Sequence, residues 1–261
     1  MKNINGFNMN YVDKGEGTPV VLIHGFPLRK EMWQGQIDFL AKEGYRVIAP
    51  DLRGFGKSEY KSIKSISDFS DDIAALLDEL KIEKTVIGGM SMGGYILLDF
   101  LDRHSEKAKA AVFIVTRAGA DNDAGKVKRT ELSDKTLGGE HDIAAKTFSP
   151  ILFAESSYEK NSAMVDMVYD WAATTNPQAI SDSLIAMRDR KDYVSKLPDF
   201  NLPALVIGGA EDRTIPVENS KQIADNLPYA KLEIIADAGH MANLENPSAF
   251  NKALIDFLNS L

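Results

Sequence analysis

The clearest absence in this 261-residue sequence is cysteine, which does not occur at all. Without thiols the chain has no disulfide bonds, no thiolate metal ligands and no cysteine nucleophile. Any side-chain chemistry must therefore use oxygen or nitrogen atoms. A chain without disulfides is also compatible with a reducing compartment such as the cytoplasm.

Long apolar segments are missing as well. Residues 1–17 are mostly polar and lack the apolar stretch of about 7 to 15 residues that a secretory signal needs. The longest apolar runs, Val20–Ile23 and Ala110–Val115, have the size of strands and fall far short of the roughly 18 residues in a membrane helix. We therefore expect a cytoplasmic protein with no membrane partner.

Basic residues and cofactor motifs are scarce too. The sequence has 30 Lys and Arg against 38 Asp and Glu, so its formal net charge of -8 offers no broad positive surface, and we expect no nucleic-acid partner. Neither G-x-G-x-x-G nor H-E-x-x-H occurs. Gly56-Lys57-Ser58 resembles the end of a phosphate-binding loop, but that loop requires glycine where Asp51 stands. We expect no cofactor and no metal ion.

Short aliphatic runs alternate with segments of helical spacing. The runs are Val20–Ile23, Arg46–Ala49, Thr85–Ile87, Ala110–Val115, Ala204–Ile207 and Leu232–Ile235. Helical spacing follows a predicted N-cap at Ser67 and recurs from Phe250 to Leu258. The alternation predicts an α/β fold with a mostly parallel central sheet and helices on both faces. Residues 4–12 predict a hairpin added to the edge of that sheet.

The alternation stops between residues 117 and 195. No buried strand occurs there, and the segment is rich in methionine, alanine and polar residues with helical spacing. We predict an inserted helical cap over residues 117–195, and an α/β core formed by residues 1–116 and 196–261.

A glycine-rich turn follows the third predicted strand. Gly89-Met90-Ser91-Met92-Gly93 is a G-x-S-x-G pattern with a strand before it and a helical run after it. The glycines allow a tight strand-to-helix turn that exposes the serine hydroxyl, because a Cβ atom at either position would collide with neighbouring backbone. Free amides at the start of the helix favour negative charge beside the serine. Ser91 is therefore the candidate nucleophile.

A serine hydroxyl needs a base, and the chain has four histidines. His104 follows the helix after Ser91, and His141 lies in the predicted cap, so both are expected at the surface. His24 follows the first central strand, where a catalytic role competes with a role in shaping the loop. His240 lies in a glycine-containing loop just after the last predicted strand, and we assign the base to it.

The carboxylate that orients the base is expected in the loop after the preceding strand, because neighbouring parallel strands deliver their loops to one edge of the sheet. Asp212 is the preferred candidate, with Glu211 beside it as a second and Asp121 as a more distant one. A turn or capping role is the alternative interpretation of Asp212. The chain order of nucleophile, acid and histidine favours the catalytic one.

Taken together, these motifs resemble the α/β-hydrolase superfamily over nearly the whole chain. The resemblance rests on His24-Gly25-Phe26-Pro27, Asp51–Ser58, Gly89–Gly94, Gly208–Asp212 with Pro216, and Asp237-Ala238-Gly239-His240. The chain order of Ser91, Asp212 and His240 is the one that the superfamily uses. Within it, the chain looks most similar to the small capped esterase, enol-lactonase and perhydrolase group.

The resemblance implies further site residues. It places the oxyanion hole at the backbone amides of Phe26 and Met92. Phe26, Met92 and Met241 should lie near the nucleophile and contact the substrate. Trp171 in the predicted cap is a fourth candidate for the pocket wall, with packing in the core as the more common role of such a residue. The segment from Asp51 to Ser58 is expected to shape a turn.

The predicted function is hydrolysis of small to medium carboxylic esters through an acyl-enzyme. Enol-lactone hydrolysis, carbon–carbon bond hydrolysis and cofactor-free perhydrolysis are alternatives that use the same three residues. A ligand receptor that uses the pocket without turnover is the alternative from a different class. We expect a small-molecule substrate, and a monomer or a homodimer.

Overall fold

The structure is a computed structural model that describes residues 1–261. The strands are β1 (Lys2–Ile4), β2 (Phe7–Met9), β3 (Tyr11–Lys14), β4 (Thr18–Ile23), β5 (Tyr45–Pro50), β6 (Thr85–Met90), β7 (Ala108–Ile114), β8 (Ala204–Gly209) and β9 (Ala230–Ile235). The α-helices are α1 (Gln34–Lys42), α2 (Ile66–Glu79), α3 (Met92–Arg103), α4 (Asp123–Leu137), α5 (Ile143–Phe148), α6 (Glu155–Lys160), α7 (Ser162–Ala173), α8 (Pro177–Arg188), α9 (Val217–Asn226), α10 (Ala242–Glu245) and α11 (Pro247–Leu258).

A seven-stranded sheet forms the centre of the molecule. Its strand order is β3-β5-β4-β6-β7-β8-β9, and every neighbouring pair is parallel except β3 with β5. The parallel strands end at one edge of the sheet, so the loops that follow β4, β6, β7 and β8 lie close together. The predicted fold class, a mostly parallel sheet between layers of helices, is confirmed.

Both faces of the sheet are buried because its strands carry apolar residues at successive positions. In β4, Val21 and Ile23 belong to one apolar cluster, which also includes residues of α2, α3 and α9. Val20 and Leu22 belong to the other cluster, together with residues of α1 and α11. Side chains alternate between the two faces of a strand, so an uninterrupted aliphatic run fills both layers at once.

The N-terminal hairpin differs from its prediction. Strands β1 and β2 pair through a turn at Asn5 and Gly6, both with positive φ, but they form a separate two-stranded sheet. Ile4 and Phe7 are buried in the cluster that contains α2, so the hairpin packs against a helical layer instead of extending the sheet. The strand that extends the edge is β3, which follows the hairpin and runs antiparallel to β5.

Five α-helices, α4 to α8, lie between β7 and β8, and no strand interrupts them. Helices α4 and α8 are held together in part by Ser133 and Ser181, whose buried hydroxyl oxygens lie 2.7 Å apart. Buried residues of α7 and α8 join the two apolar clusters of the core, Val168 in one and Leu184 in the other. The helical segment therefore packs over the edge of the sheet at which the parallel strands end.

None of the protein's helices has the length and apolar character needed to cross a bilayer.

Candidate active site

Ser91 lies between β6 and α3 in a strained conformation, with φ 54° and ψ -113°. Two glycines make the turn fit. A Cβ atom on Gly89 would lie 2.1 Å from the carbonyl oxygen of Gly93, and one on Gly93 would lie 2.6 Å from the carbonyl oxygen of Ile23. The turn thus brings the serine backbone against β4 and directs its side chain away from the sheet.

The strained serine is held in place from the neighbouring strand. Its amide donates to the carbonyl oxygen of Ile114 at 2.9 Å. Its own carbonyl oxygen accepts hydrogen bonds from Thr116 Oγ1 at 2.8 Å and from the Gly94 amide at 2.9 Å. With both backbone groups paired, the position of the Ser91 side chain is set by β7 and the residues that follow it.

His240 and Asp212 form a buried pair. His240 Nδ1 lies 2.7 Å from Asp212 Oδ2, and both side chains are almost fully buried. The second carboxylate oxygen, Oδ1, accepts the amides of Thr214 at 2.8 Å and Ile215 at 2.9 Å. These amides fix the carboxylate so that one oxygen accepts the Nδ1 proton, and this tautomer leaves Nε2 as a proton acceptor.

The segment before α6 packs directly on the loops that carry the acid and the base. The Leu152 carbonyl oxygen accepts the amides of His240 at 2.8 Å and Met241 at 3.2 Å. On the side of the acid, Thr214 Oγ1 donates to the Ile151 carbonyl oxygen at 3.0 Å. Part of the helical insertion therefore belongs to the framework of the site.

Glu245 connects the loop that carries His240 to the start of α6, and the sequence analysis did not identify it. Its Oε1 accepts the amide of Gly239 at 2.8 Å and that of Met241 at 3.2 Å. Its Oε2 accepts the amide of Ala154 at 2.7 Å and the Ser157 hydroxyl at 2.8 Å. Burial raises the pKa of the Glu245 carboxyl group, while these four donors oppose that rise. No local motif announces the role, since the partners are distant in sequence.

Ser91 and His240 both line one cavity of about 470 Å³. The cavity lies beneath α4, α5 and α8, and the loop after β8 closes one side of it. Its apolar wall consists of Phe26, Leu132, Ile143, Phe148, Ile151, Leu152, Leu184, Met187 and Ile215. Among the three predicted catalytic residues, the one hydrogen bond between side chains is that of His240 with Asp212.

Two backbone amides beside Ser91 are available to a ligand. The amide of Phe26 donates to no backbone or side-chain acceptor of the protein. Met92 is the first residue of α3, so its amide has no acceptor within the helix. A Cβ atom on Gly25 would lie 3.4 Å from Ser91 Cβ, which means that the turn carrying Phe26 packs directly against the serine. This arrangement is typical of an oxyanion hole.

The four residues that were expected to contact the substrate lie in different surroundings. Phe26 lines the cavity, whereas Met92, Met241 and Trp171 do not. Met92 and Met241 are fully buried, each in an apolar cluster of the core. Trp171 packs in the cluster beneath α7, with the Arg29 guanidinium over its ring. The side chains of these three residues pack in the apolar core and do not line this cavity.

Two other histidines have structural partners. His24 is fully buried, with Nδ1 2.8 Å from the Gly25 carbonyl oxygen and Nε2 accepting the Leu52 amide at 3.0 Å. Burial lowers the pKa of His24, so the ring stays neutral and shapes its loop. His104 is partly buried and not fully exposed as expected, because its Nε2 lies 2.8 Å from Asp71 Oδ1.

The alternative acids are placed elsewhere. Glu211 is exposed to solvent. Asp121 lines the cavity, but its carboxylate pairs with guanidinium groups, among them those of Arg129 and Arg190, and not with His240. Of the three candidates, only Asp212 contacts the imidazole.

The segment from Asp51 to Ser58 forms a turn around a buried carboxylate. Asp51 accepts a charged hydrogen bond from Lys30 Nζ at 2.7 Å and the amide of Lys57 at 3.0 Å. A Cβ atom on Gly56, which has φ 54°, would lie 2.3 Å from the Asp51 carboxyl group.

Nowhere in the chain do three or more His, Asp or Glu side chains form a group that could hold a metal ion.

Several known proteins are similar to this chain over nearly its whole length. An esterase from Thermogutta terrifontis, solved with malate bound, superposes with a TM-score of 0.95 at 30% identity, covering 98% of this chain and 95% of that one. The enol-lactonase from Burkholderia xenovorans superposes with a TM-score of 0.92 at 26% identity and covers 99% of both chains. The non-heme chloroperoxidase CPO-A1 of Kitasatospora aureofaciens is 27% identical over 275 residues, which is 97% of both chains.

Residues 18–247 also match the family described as the alpha/beta hydrolase fold. That span runs from β4 to the first residue of α11, and it contains the serine turn, the buried His–Asp pair and the whole helical insertion. The chain therefore belongs to the α/β-hydrolase family and is a hydrolase of that family.

Proposed function

We propose that the protein is a serine hydrolase that cleaves small to medium carboxylic esters through an acyl-enzyme. The observation that carries the proposal is the His240–Asp212 hydrogen bond beside a cavity whose wall includes Ser91 on a strained turn. A serine is a weak nucleophile at neutral pH and needs an oriented base within reach. In this arrangement, Asp212 orients the base and the cavity admits the substrate.

In the first half of the proposed reaction, His240 Nε2 takes the proton from Ser91 Oγ as that oxygen attacks the ester carbonyl carbon. Asp212 stabilises the imidazolium that forms. The imidazolium then gives its proton to the leaving alkoxide oxygen as the bond between that oxygen and the carbonyl carbon breaks. The alcohol departs, and the acyl group remains on Ser91.

In the second half, a water molecule attacks the acyl carbonyl carbon while His240 takes one of its protons. The bond from carbon to Ser91 Oγ breaks, and the imidazolium returns a proton to the serine. The products are a carboxylic acid and the free enzyme. In both halves, the amides of Phe26 and Met92 would stabilise the negative charge on the carbonyl oxygen, and loss of one such donor typically costs about a hundredfold to a thousandfold in turnover.

The experiment that tests the proposal uses 4-nitrophenyl acetate and butyrate with the wild type, Ser91→Ala and His240→Ala. We expect turnover by the wild type and a loss of up to roughly a millionfold in either variant. A fluorophosphonate should label Ser91, as read by mass spectrometry. Equal turnover by Ser91→Ala would reject the assignment of the nucleophile.

The same experiment separates the alternatives. Enol-lactones, vinylogous diketones and peracid formation from hydrogen peroxide are assayed in parallel, because all three reactions can use the same residues. Stoichiometric ligand binding by a wild type that turns over no substrate would favour a receptor. We further infer a cytoplasmic monomer or homodimer, which cell fractionation and size-exclusion chromatography test.

A further inference from the structure

The cavity that contains Ser91 also contains an excess of positive charge. Asp121 is the acceptor for three guanidinium groups, those of Arg117, Arg129 and Arg190. One carboxylate therefore faces three cations, which leaves the cluster with two positive charges more than negative ones. Asp121, Arg117 and Arg129 all line the cavity.

Within this cluster, Arg117 is the cation with capacity to bind a ligand. Arg190 is almost fully buried and donates to two backbone carbonyl oxygens besides Asp121. Arg129 is mostly buried and donates to Asp121 and to Met187 Sδ. The side chain of Arg117 is one-third exposed, and it donates from Nη2 to Asp121 and lies close to the Tyr95 hydroxyl. The Nε atom of Arg117 has no hydrogen-bond partner in the protein, and the residue lines the cavity that reaches Ser91.

The backbone places Arg117 close to the nucleophile. Thr116, its immediate neighbour, donates from Oγ1 to the Ser91 carbonyl oxygen at 2.8 Å. Thus a single hydrogen bond and one peptide unit separate the serine from the arginine. A guanidinium at this position could reach a charged group a few bonds away from a carbonyl carbon bound at Ser91 Oγ.

The wall formed by α4 adds to the positive charge. Lys128, Arg129 and Lys135 lie on the cavity face of this helix, with Glu131 as the one acidic residue among them. The chain as a whole carries a net charge of -8, so a locally positive cavity stands against the overall charge of the protein. Guanidinium groups bind carboxylates by paired, charge-assisted hydrogen bonds.

We propose that Arg117 binds a carboxylate of the substrate, so that the preferred esters of this hydrolase are anionic, such as half-esters of small dicarboxylic acids. This inference rests on the proposed function for the bond that is cleaved. Its own content is the charge of the substrate and the residue that recognises it. The carboxylate belongs to the acyl half or to the alcohol half of the ester, and the two are tested separately.

The test compares matched pairs of esters. For the acyl half, the pair is the mono-4-nitrophenyl ester of glutaric acid against 4-nitrophenyl pentanoate, with uncatalysed rates subtracted. For the alcohol half, it is 3-carboxyphenyl butyrate against 3-carbamoylphenyl butyrate. We expect the wild type to favour the anionic ester of one pair by roughly tenfold or more in kcat/KM, as suits a charge-assisted hydrogen bond.

The variants assign that preference to one residue. Arg117→Gln should abolish the preference, and Arg117→Lys should restore part of it, since the charge returns without the planar guanidinium. Lys126→Gln is the matched control, because it removes one positive charge from the exposed surface of α4 outside the cavity and should keep the ratio. Circular dichroism checks that each variant is folded. No preference in either pair, or one that Arg117→Gln leaves intact, overturns the inference.

Calorimetry separates this inference from the proposed function. Glutarate is titrated into the Ser91→Ala variant and into Ser91→Ala combined with Arg117→Gln. Binding that needs Arg117 supports the inference even if the wild type hydrolyses no ester, in which case only the proposed function fails. The enzyme could also hydrolyse the neutral esters through Ser91, bind no glutarate and show no preference for the anionic esters. In that case the inference about Arg117 fails and the proposed function stands.

Discussion

A Cβ atom on Gly209 would lie 2.1 Å from the carbonyl oxygen of Gly239. Gly209 ends β8, and Gly239 immediately precedes His240, so the backbone segments that carry the acid and the base touch each other. The Glu211 amide reinforces this contact by donating to the carbonyl oxygen of Ala238 at 2.9 Å. The approach of Asp212 to His240 therefore depends on a position that has no side chain.

Gly209→Ala should separate the two loops, because the obstructing atom is a backbone oxygen that cannot rotate away. We expect a loss on the order of a hundredfold in kcat, the cost of a displacement of about 1 Å in a catalytic group. The free energy of unfolding should fall by about 1 to 3 kcal/mol. Steady-state kinetics with 4-nitrophenyl butyrate and urea unfolding measure both changes.

Gly35→Ala is the control for that substitution. Gly35 lies in α1 and is exposed, and a Cβ atom on it would meet no other atom within 4 Å. Alanine is favoured over glycine in a helix, so the free energy of unfolding of this variant should rise by about 0.5 to 1 kcal/mol. Its kcat should not change. Unchanged kcat in Gly209→Ala would contradict the importance of the contact between the loops.

Asp212→Asn should cost about 10⁴-fold in kcat, because it favours the wrong imidazole tautomer. The amides of Thr214 and Ile215 both donate to Oδ1, so the asparagine must keep its oxygen there. Its NH₂ group then faces His240 Nδ1, which has to become an acceptor, and the proton moves to Nε2. An Nε2–H group cannot take the proton of Ser91.

Glu211→Gln is the matched control for Asp212→Asn, since Glu211 is the exposed neighbour that the sequence offers as an alternative acid. We expect it to keep kcat within about twofold, as surface substitutions generally do little. Crystal structures or proton NMR of the imidazole in Asp212→Asn would report the tautomer directly. Equal losses in the two variants would contradict the distinct role of Asp212.

The positions of the loops could be predicted from the sequence because strands and turns are local. The buried runs before Ser91 and Asp212 are continuous and aliphatic, and a parallel sheet delivers the following loops to one edge. Helix ends depend on more than the local pattern. Ser67 is the N-cap that the sequence predicts for α2, but the helix begins at Ile66, with Ser65 before it. Ser67 instead donates from Oγ to Asp99 at 2.9 Å, a contact that no local pattern reveals.

The pocket and its supports could not be predicted because they depend on tertiary contacts. Met241 and Trp171 have the side chains of a substrate pocket, but whether an apolar residue faces a cavity or the core is decided by its neighbours in space. Glu245 contacts Ala154, which is 91 residues away in the chain. Arg117 marks only the start of the predicted cap in the sequence, and its proximity to Ser91 arises from the pairing of β6 with β7.

Glu245→Gln should weaken both the fold and the activity. Each carboxylate oxygen accepts two donors, so the NH₂ group of glutamine must face donors on one side. A buried donor left without an acceptor costs about 1 to 3 kcal/mol. We expect a drop of that size in the free energy of unfolding, and a lower kcat because the Gly239 amide beside His240 is affected. Urea unfolding and kinetics test this, with the exposed Glu218→Gln as the control that should change neither.

Asp121→Asn should remove part of the acid sensitivity of the fold. Burial alone would raise the pKa of Asp121, but hydrogen bonds and charge from Arg190 and Arg129 outweigh it and lower the pKa from 3.8 to about 2. A carboxyl group whose pKa is depressed in the folded state stabilises the fold above its ordinary pKa, and this contribution is lost as the pH falls through the folded value. The relevant window is therefore from about pH 4 to pH 2.

The measurement is the free energy of unfolding of the wild type and of Asp121→Asn between pH 7 and pH 2. At pH 7 the wild type should be more stable by about 2 kcal/mol, and the difference should shrink towards zero as the pH approaches 2. The exposed Asp225→Asn serves as the control, and its free energy of unfolding should follow that of the wild type across the pH range.

A difference between Asp121→Asn and the wild type that stays constant with pH would show that the arginine cluster stabilises the fold by packing alone. A difference that narrows as expected would show that Asp121 keeps its negative charge down to about pH 2. The cluster of Asp121 with Arg117, Arg129 and Arg190 would then carry a net charge of plus two throughout the pH range in which a serine hydrolase acts.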